Sequence, residues 1–225
     1  MRWVRKGAEP PSLTALRCAP TTEIESSSAA RTAFDQLDKA ELRARLATDQ
    51  ARLCVFCMRR IDENARDGRG EPTMKIAHRT PIGVDSARAL AWSNLFGSCD
   101  GGQRSNGRYW TCDAAQGQGA LTVDPSMEAS IRRLRYERRD GAQGLYITSD
   151  DAALRVDVEE TLELNSGDLP ALREEAWKAF RHMFRKTKPN GPWGKAAWRD
   201  FLPRWWAPGT KAAPEMLGVI EAMVN

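Results

Sequence analysis

The sequence predicts an α+β protein whose middle is organised around bound metal more than around a large apolar core. Three observations carry that expectation. Cys54 and Cys57, two residues apart, are answered by a second and wider pair, Cys99 and Cys112. From Cys54 to Pro125 the chain has only short apolar pieces, with many glycines and turns. On either side of that stretch, apolar residues recur at helical and strand-like spacings.

Length and composition set the limits. At 225 residues the chain is long enough to bury a core without staples, so a metal has to be argued from spacing and not from size. The mean hydropathy is −0.56 and 41% of residues are hydrophobic, with no run of roughly 18 apolar residues that could cross a bilayer. The opening, Met1-Arg2-Trp3-Val4-Arg5-Lys6-Gly7, is charged but has no apolar run after it. That is unlike a secretory signal, and a cytoplasmic location with no membrane partner is expected. Reduced thiols in that compartment favour metal over disulfides. The net charge of +4 is too small to identify a nucleic-acid partner, but its distribution is uneven.

Four segments follow in order. Residues 1–38 form an N-terminal arm; Pro10-Pro11, Pro20 and Ser26-Ser27-Ser28 make residues 1–30 turn-rich, and an extended or loosely packed course is expected there. In 39–125, Asp38 and Glu41 have the spacing of a capping box, and Leu42, Leu46 and Leu53 predict a helix over about 39–52 leading to the first cysteines. In 126–190, alternation predicts strands at 144–148 and 154–158. A helix is expected over 169–187 after Asp168, with Trp177, Phe180 and Phe184 on one face and basic residues late, as the helix dipole favours. The tail, 191–225, follows the helix-stopping Pro189-Asn190-Gly191-Pro192 and ends in a short apolar helix around 214–224.

The gap of two residues lets Cys54 and Cys57 close on one tetrahedral zinc. Cys99 follows after 41 intervening residues, and 12 separate it from Cys112, with Asp100-Gly101-Gly102-Gln103 free to fold out between them. Four cysteines would make a closed, structural Zn²⁺ site, without an open position for chemistry. The alternative is four small buried residues. Cys18, apart in the arm, reads as an ordinary free thiol.

Inside the cysteine frame lie Met74-Lys75-Ile76-Ala77-His78-Arg79-Thr80-Pro81, Trp92-Ser93-Asn94-Leu95-Phe96-Gly97-Ser98-Cys99 and Thr111-Cys112-Asp113. This order resembles the HNH endonuclease family, in which a strand delivers a histidine soon followed by proline, an Asn-Leu pair precedes a cysteine, and a helix after the last cysteine bears a metal ligand. The resemblance implies a small ββα-metal core, stapled by the four-cysteine site and flanked by helical N- and C-terminal extensions, with His78, Asn94 and Asp113 at the signature positions. More narrowly, Arg5-Lys6-Gly7-Ala8-Glu9-Pro10-Pro11-Ser12-Leu13, Cys54-Val55-Phe56-Cys57-Met58-Arg59-Arg60-Ile61 and Leu162-Glu163-Leu164-Asn165 resemble the PtuB-like HNH proteins of the Septu and retron anti-phage systems. That likeness runs in order over roughly residues 1–190 and implies an ATPase partner.

Phosphodiester hydrolysis needs a base to activate water and a cation to stabilise developing charge. His78 suits the first task because imidazole is neutral near pH 7. Asp113 offers a hard oxygen to Mg²⁺ or Mn²⁺, and Asn94 either orients His78 or ligates the same ion, orientation being favoured. Ala77 stands where the family usually has Asp or Glu, and Gln116 where lysine is common. Asp85 or Asp100 could replace the missing acid, though nothing in the sequence places either one. His182, on a basic helix without a ligand neighbour, is given no role.

The densest basic run, Arg132, Arg133, Arg135, Arg138 and Arg139, is a candidate for tracking phosphates, as is a second at Arg181, Arg185, Lys186 and Lys188; a solvated face is the alternative for each. Five of the eight tryptophans follow residue 176, where they serve either a partner interface or local packing. The expected function is metal-dependent cleavage of nucleic acid, DNA ahead of RNA, in phage defence. The alternative is a catalytically impaired zinc protein that only binds nucleic acid or serves as an interaction subunit.

Overall fold

The computed structural model describes residues 1–102, 109–206 and 212–225. Three helices come first: α1 (Pro11–Cys18), α2 (Ser27–Gln36) and α3 (Lys39–Asp49). Each starts where its sequence supplies a start. A proline occupies the first turn of α1, the Ser26 side chain accepts from the Ala29 N–H at 3.1 Å, and Asp38 accepts from the Ala40 N–H at 2.9 Å. Glu41 does not close a capping box; its carboxylate accepts from the Ser12 N–H at 3.3 Å and ties α3 to α1.

The loosely packed arm expected for residues 1–30 is therefore corrected. Met1, Val4, Leu13 and Ala30 are buried, and the Val4 N–H donates to the Pro125 carbonyl at 2.8 Å. The arm's few apolar side chains bury themselves against segments far along the chain, an arrangement invisible to any local window of composition.

Two small antiparallel sheets follow. In the first, β1 (Lys75–His78) pairs with β2 (Leu95–Ser98) so that Ala77 faces Phe96 and His78 faces Leu95. A one-turn helix, α4 (Asp113–Gln116), packs on β1. After α5 (Glu128–Ile131), the second sheet pairs β3 (Leu134–Glu137) with β4 (Tyr146–Ser149).

The strand expected at 154–158 is helical instead, as α6 (Ala152–Val156) running into a wider turn through Thr161. Asp151 caps it by accepting from the Ala153 and Leu154 N–H groups, and Leu154 and Val158, four apart, are both buried. The same residues that alternate also satisfy the helical spacing, and the cap decides between the two.

The long helix α7 (Leu169–Thr187) has the expected bounds and buries Trp177, Phe180 and Phe184. Against that face lie α8 (Lys195–Trp205) and α9 (Leu217–Val224). Trp198 meets Trp177 at 5.2 Å between ring centroids, and Trp205 meets Phe180 at 5.3 Å. Two of the tail tryptophans are thus local packing, whereas Trp193 is 53% exposed. Buried Arg173 joins α7 to the rest, donating to the Leu145 carbonyl and Asn165 Oδ1 at 3.2 Å each. Asn165 in turn holds both backbone groups of Ile147 at 2.9 Å. Among the described residues no helix is long and apolar enough to cross a membrane.

Candidate functional site

The four cysteines that the sequence singles out come together. Cys54, Cys57, Cys99 and Cys112 place their sulfurs within 4.8 Å of one another, in a group able to hold a metal ion. The first pair sits on a tight knuckle: the Cys54 N–H donates to the Arg59 carbonyl at 2.8 Å, the Met58 N–H to the Cys54 carbonyl at 3.0 Å, and Met58 itself takes a positive φ of 65°. The second pair closes a loop whose two ends touch where Thr111 N–H donates to the Gly101 carbonyl at 2.9 Å. At Gly101, φ is +62° and a Cβ would lie 2.2 Å from the Thr111 oxygen, so only glycine fits. Gln103, named with that glycine-rich excursion, lies outside the described residues.

The sulfur spacings are those a metal needs. Tetrahedral Zn–S bonds of about 2.3 Å put sulfurs about 3.8 Å apart. Three of the six separations are 3.6 Å for Cys57–Cys99, 3.8 Å for Cys99–Cys112 and 3.9 Å for Cys54–Cys112, and all six lie within 4.8 Å. Burial, together with hydrogen bonding to Cys54, pushes the Cys112 thiol well up, whereas at Cys54 burial is outweighed by hydrogen bonds from the other three cysteines and the thiol is held well down; a bound cation would stabilise thiolates at this density. Arg59, close to Cys57 and ion-paired to Asp168, supplies positive charge at the rim. Cys18 is exposed and outside the cluster.

Gln50 is a positioning residue that sequence reasoning missed. It is 1% exposed at the end of α3, donates to the Leu53 and Gly97 carbonyls at 2.8 and 2.7 Å, and accepts from the Gly97 N–H at 2.6 Å. It thereby joins the cysteine knuckle to β2. A lone glutamine next to a helix end carries no signal in sequence that it will be buried. The Cys112 N–H donates to the Leu162 carbonyl at 2.9 Å, so Leu162-Glu163-Leu164-Asn165 braces the frame from behind.

Beside the cysteines, a cleft of about 300 Å³ opens between β1, α4 and α2, with His78, Asp113, Gln116, Arg31, Phe34 and Asp35 in its walls. Strand pleat sets the geometry: Ile76 and His78 face the cleft, and Ala77, wholly buried, points the other way. The His78 ring packs edge-on against Phe34 at 4.7 Å, and its Nε2 lies 3.0 Å from the Ala89 carbonyl. A carbonyl can only accept, so Nε2 carries the proton and Nδ1 keeps the lone pair. Burial lowers the His78 pKa below 6.5, with Arg31 and Lys39 acting in the same direction and the Ala89 bond opposing.

In an NMR titration, the His78 ring is expected as the Nε2–H tautomer, protonating below the pH at which an exposed histidine does. An unfolded chain takes up this proton first, so the ring's contribution to stability is lost as pH falls through 6.5.

Asn94 is 1% exposed and braces the loop after His78. Its Oδ1 accepts from the Thr80 N–H at 2.8 Å, and its Nδ2 donates to the Thr80 and Arg88 carbonyls at 2.9 and 3.1 Å. Those bonds hold the loop that offers the Ala89 carbonyl to His78. Of the two parts weighed for Asn94, these bonds support orientation: its amide is spent on backbone and does not line the cleft. Asn94→Ala strands a buried N–H and two carbonyls and is expected to cost about 2–4 kcal/mol, read as a lower urea midpoint.

Asp113 begins α4 directly after Cys112, whose positive φ of 60° turns the chain into the cleft. Burial pushes the Asp113 carboxyl up to about 6, against the pull of Lys75. Gln116, 5% exposed, donates to the His78, Arg79 and Gly119 carbonyls at 2.9, 3.1 and 3.0 Å, and its Oε1 has no partner among the described residues. Asp85 and Asp100, weighed as substitutes for an acid at 77, are not in the cleft wall; the second carboxylate there is Asp35 of α2, paired with Lys39 at 2.6 Å.

The nucleic-acid role expected for the five arginines in and around β3 is not favoured by their surroundings. Arg132, Arg135, Arg138 and Arg139 meet Glu128, Asp150, Glu174 and Glu159 at 2.6–2.8 Å, and Arg133 pairs with Asp151. Each guanidinium faces a carboxylate, so this face alternates in sign and presents no positive stripe to a phosphate backbone. Sequence reasoning counted the arginines but had no means to see acids arriving from α5, α7 and the β4–α6 region. No protein-family model and no curated protein matches this chain.

Proposed function

We propose that the chain is a metal-dependent HNH-type endonuclease, with a ββα-metal core made of β1, β2 and α4 and a structural Zn²⁺ on Cys54, Cys57, Cys99 and Cys112. The observation that carries this reading is His78: a ring with Nε2 committed to the Ala89 carbonyl, burial that keeps it neutral, and Asp113 in the same cleft. Nδ1 of His78 takes a proton from water as general base, a contribution of about 10²- to 10⁴-fold. Asn94 keeps the Ala89 carbonyl in place and so keeps the tautomer.

The cleft's donors fit a hard cation. Asp113 brings a half-buried carboxylate and Gln116 an Oε1 without a partner among the described residues, two oxygens of the kind Mg²⁺ or Mn²⁺ takes along with water. Such an ion stabilises charge on the phosphate and leaving oxygen. A role in anti-phage defence beside an ATPase rests on the sequence resemblance and is part of the proposal, with DNA as the substrate ahead of RNA.

A catalytically impaired binding or interaction subunit is the second reading, favoured by the absence of an acid at 77 and by the paired β3 arginines. Asp113→Asn separates the two. The endonuclease reading expects the variant to keep its fold and zinc while its hydrolysis in Mn²⁺ falls at least about 10²-fold. An unchanged rate would remove Asp113 from the chemistry.

A further inference from the structure

The positive charge of the molecule is concentrated away from β3. Residues 181–206 hold seven Lys and Arg against the single acid Asp200, a net of +6 in a chain whose total is +4, so the remaining residues together are net negative. On α7, Arg181 and Arg185 are four apart and share a face, while Trp177, Phe180 and Phe184 are turned into the core, and Lys188 follows directly as the residue that ends the helix. None of the three has a carboxylate within ion-pair distance among the described residues, the opposite of what β3 shows. The helix dipole accounts for Arg185 and Lys186 in the last turn, but not for the basic residues beyond it.

An aromatic ring sits among these charges. Trp193 is 53% exposed, yet it is held in place: its Nε1 donates to the Lys188 carbonyl at 3.0 Å, and the Arg185 guanidinium lies 5.7 Å from its ring centroid. With its only polar atom satisfied by backbone, the indole presents an apolar face beside unpaired cations. Such a pairing suits phosphates on one side and an unstacked base on the other. A lipid surface suits it less, because inserting Trp193 among acyl chains would drag the guanidinium stacked on it out of water.

We propose that the α7–α8 junction, around Arg185, Lys188 and Trp193, is the nucleic-acid docking surface, taking a single-stranded or locally unpaired segment. The inference rests on the nucleic-acid reading above, but it concerns binding and not cleavage. Its test is fluorescence anisotropy of the full zinc-loaded chain with a labelled DNA oligonucleotide, single-stranded and as duplex, without Mg²⁺ or Mn²⁺. Arg185→Glu with Lys188→Glu is expected to weaken both by more than about 10-fold and to lower the slope of log affinity against log salt by about 1–2. Trp193→Ala, which changes no charge and touches no core residue, is expected to weaken the single strand about 10-fold and leave the duplex nearly unchanged.

Arg133→Glu with Arg135→Glu serves as the control and is expected to change little. No binding by the native chain, unchanged binding in both α7–α8 variants, an equal loss in the control, or tighter binding to anionic vesicles than to the oligonucleotide would each overturn the assignment. Binding that behaves as expected while hydrolysis is absent under every condition would leave this surface standing and remove the endonuclease reading alone.

Discussion

Cys57→Ser is expected to abolish cooperative folding of the chain and to leave it with far less than one zinc per molecule. The sulfur cluster lies where several segments meet, so the loss does not stay local. Cys54 and Cys57 form the knuckle that Gln50 ties to β2, Cys112 leads directly into α4, and the Met58 carbonyl in the same knuckle accepts from the Met216 N–H at 3.1 Å, fastening the start of α9. A structural zinc contributes about 10–16 kcal/mol of apparent binding energy near pH 7. A domain's net stability is only about 5–15 kcal/mol. Removing one of four ligands therefore threatens the whole margin. Zinc content with a circular-dichroism melt reads the result, and a Cys57→Ser chain that melts at the native temperature would rule out a structural metal.

His78→Ala is expected to lower metal-dependent hydrolysis by about 10²- to 10⁴-fold, the span a general base contributes, while zinc content stays native. The ring also packs on Phe34, so a modest fall in melting temperature accompanies the change. What separates chemistry from packing is His78→Gln, which fills part of the same space without a base of suitable pKa. It is expected to recover stability and not rate. Recovery of rate by His78→Gln would mean that the ring only fills space.

The parts of the fold that could be read from sequence were those encoded by neighbours. The bounds of α7, the start of α3 and the convergence of four cysteines all rest on spacing within one segment, or on a coordination chemistry that admits few arrangements. Contacts made at a distance could not be read. The packed arm depends on Val4 meeting Pro125, the helical course at 154–158 on the Asp151 cap, and the fate of the β3 arginines on acids from three other elements. At the cleft, His78, Asn94 and Asp113 were legible as residue types in order. Their surroundings were not: the Asn94 amide is spent on Thr80 and Arg88, Asp35 enters the cleft from a segment expected to be separate from it, and the unpartnered Gln116 oxygen appears only once α4 is folded against β1.

Nicking of supercoiled plasmid, set beside cleavage of single-stranded RNA, by the zinc-loaded native chain and by His78→Ala in Mg²⁺ or Mn²⁺ tests the central claim most directly. Each reaction is run alone and with any ATPase encoded beside the chain. The proposal expects cleavage of at least one substrate by the native chain, dependent on the added ion and lost in His78→Ala. Cleavage undiminished in His78→Ala, or none by the folded native chain with either substrate, ion or partner condition, would contradict it.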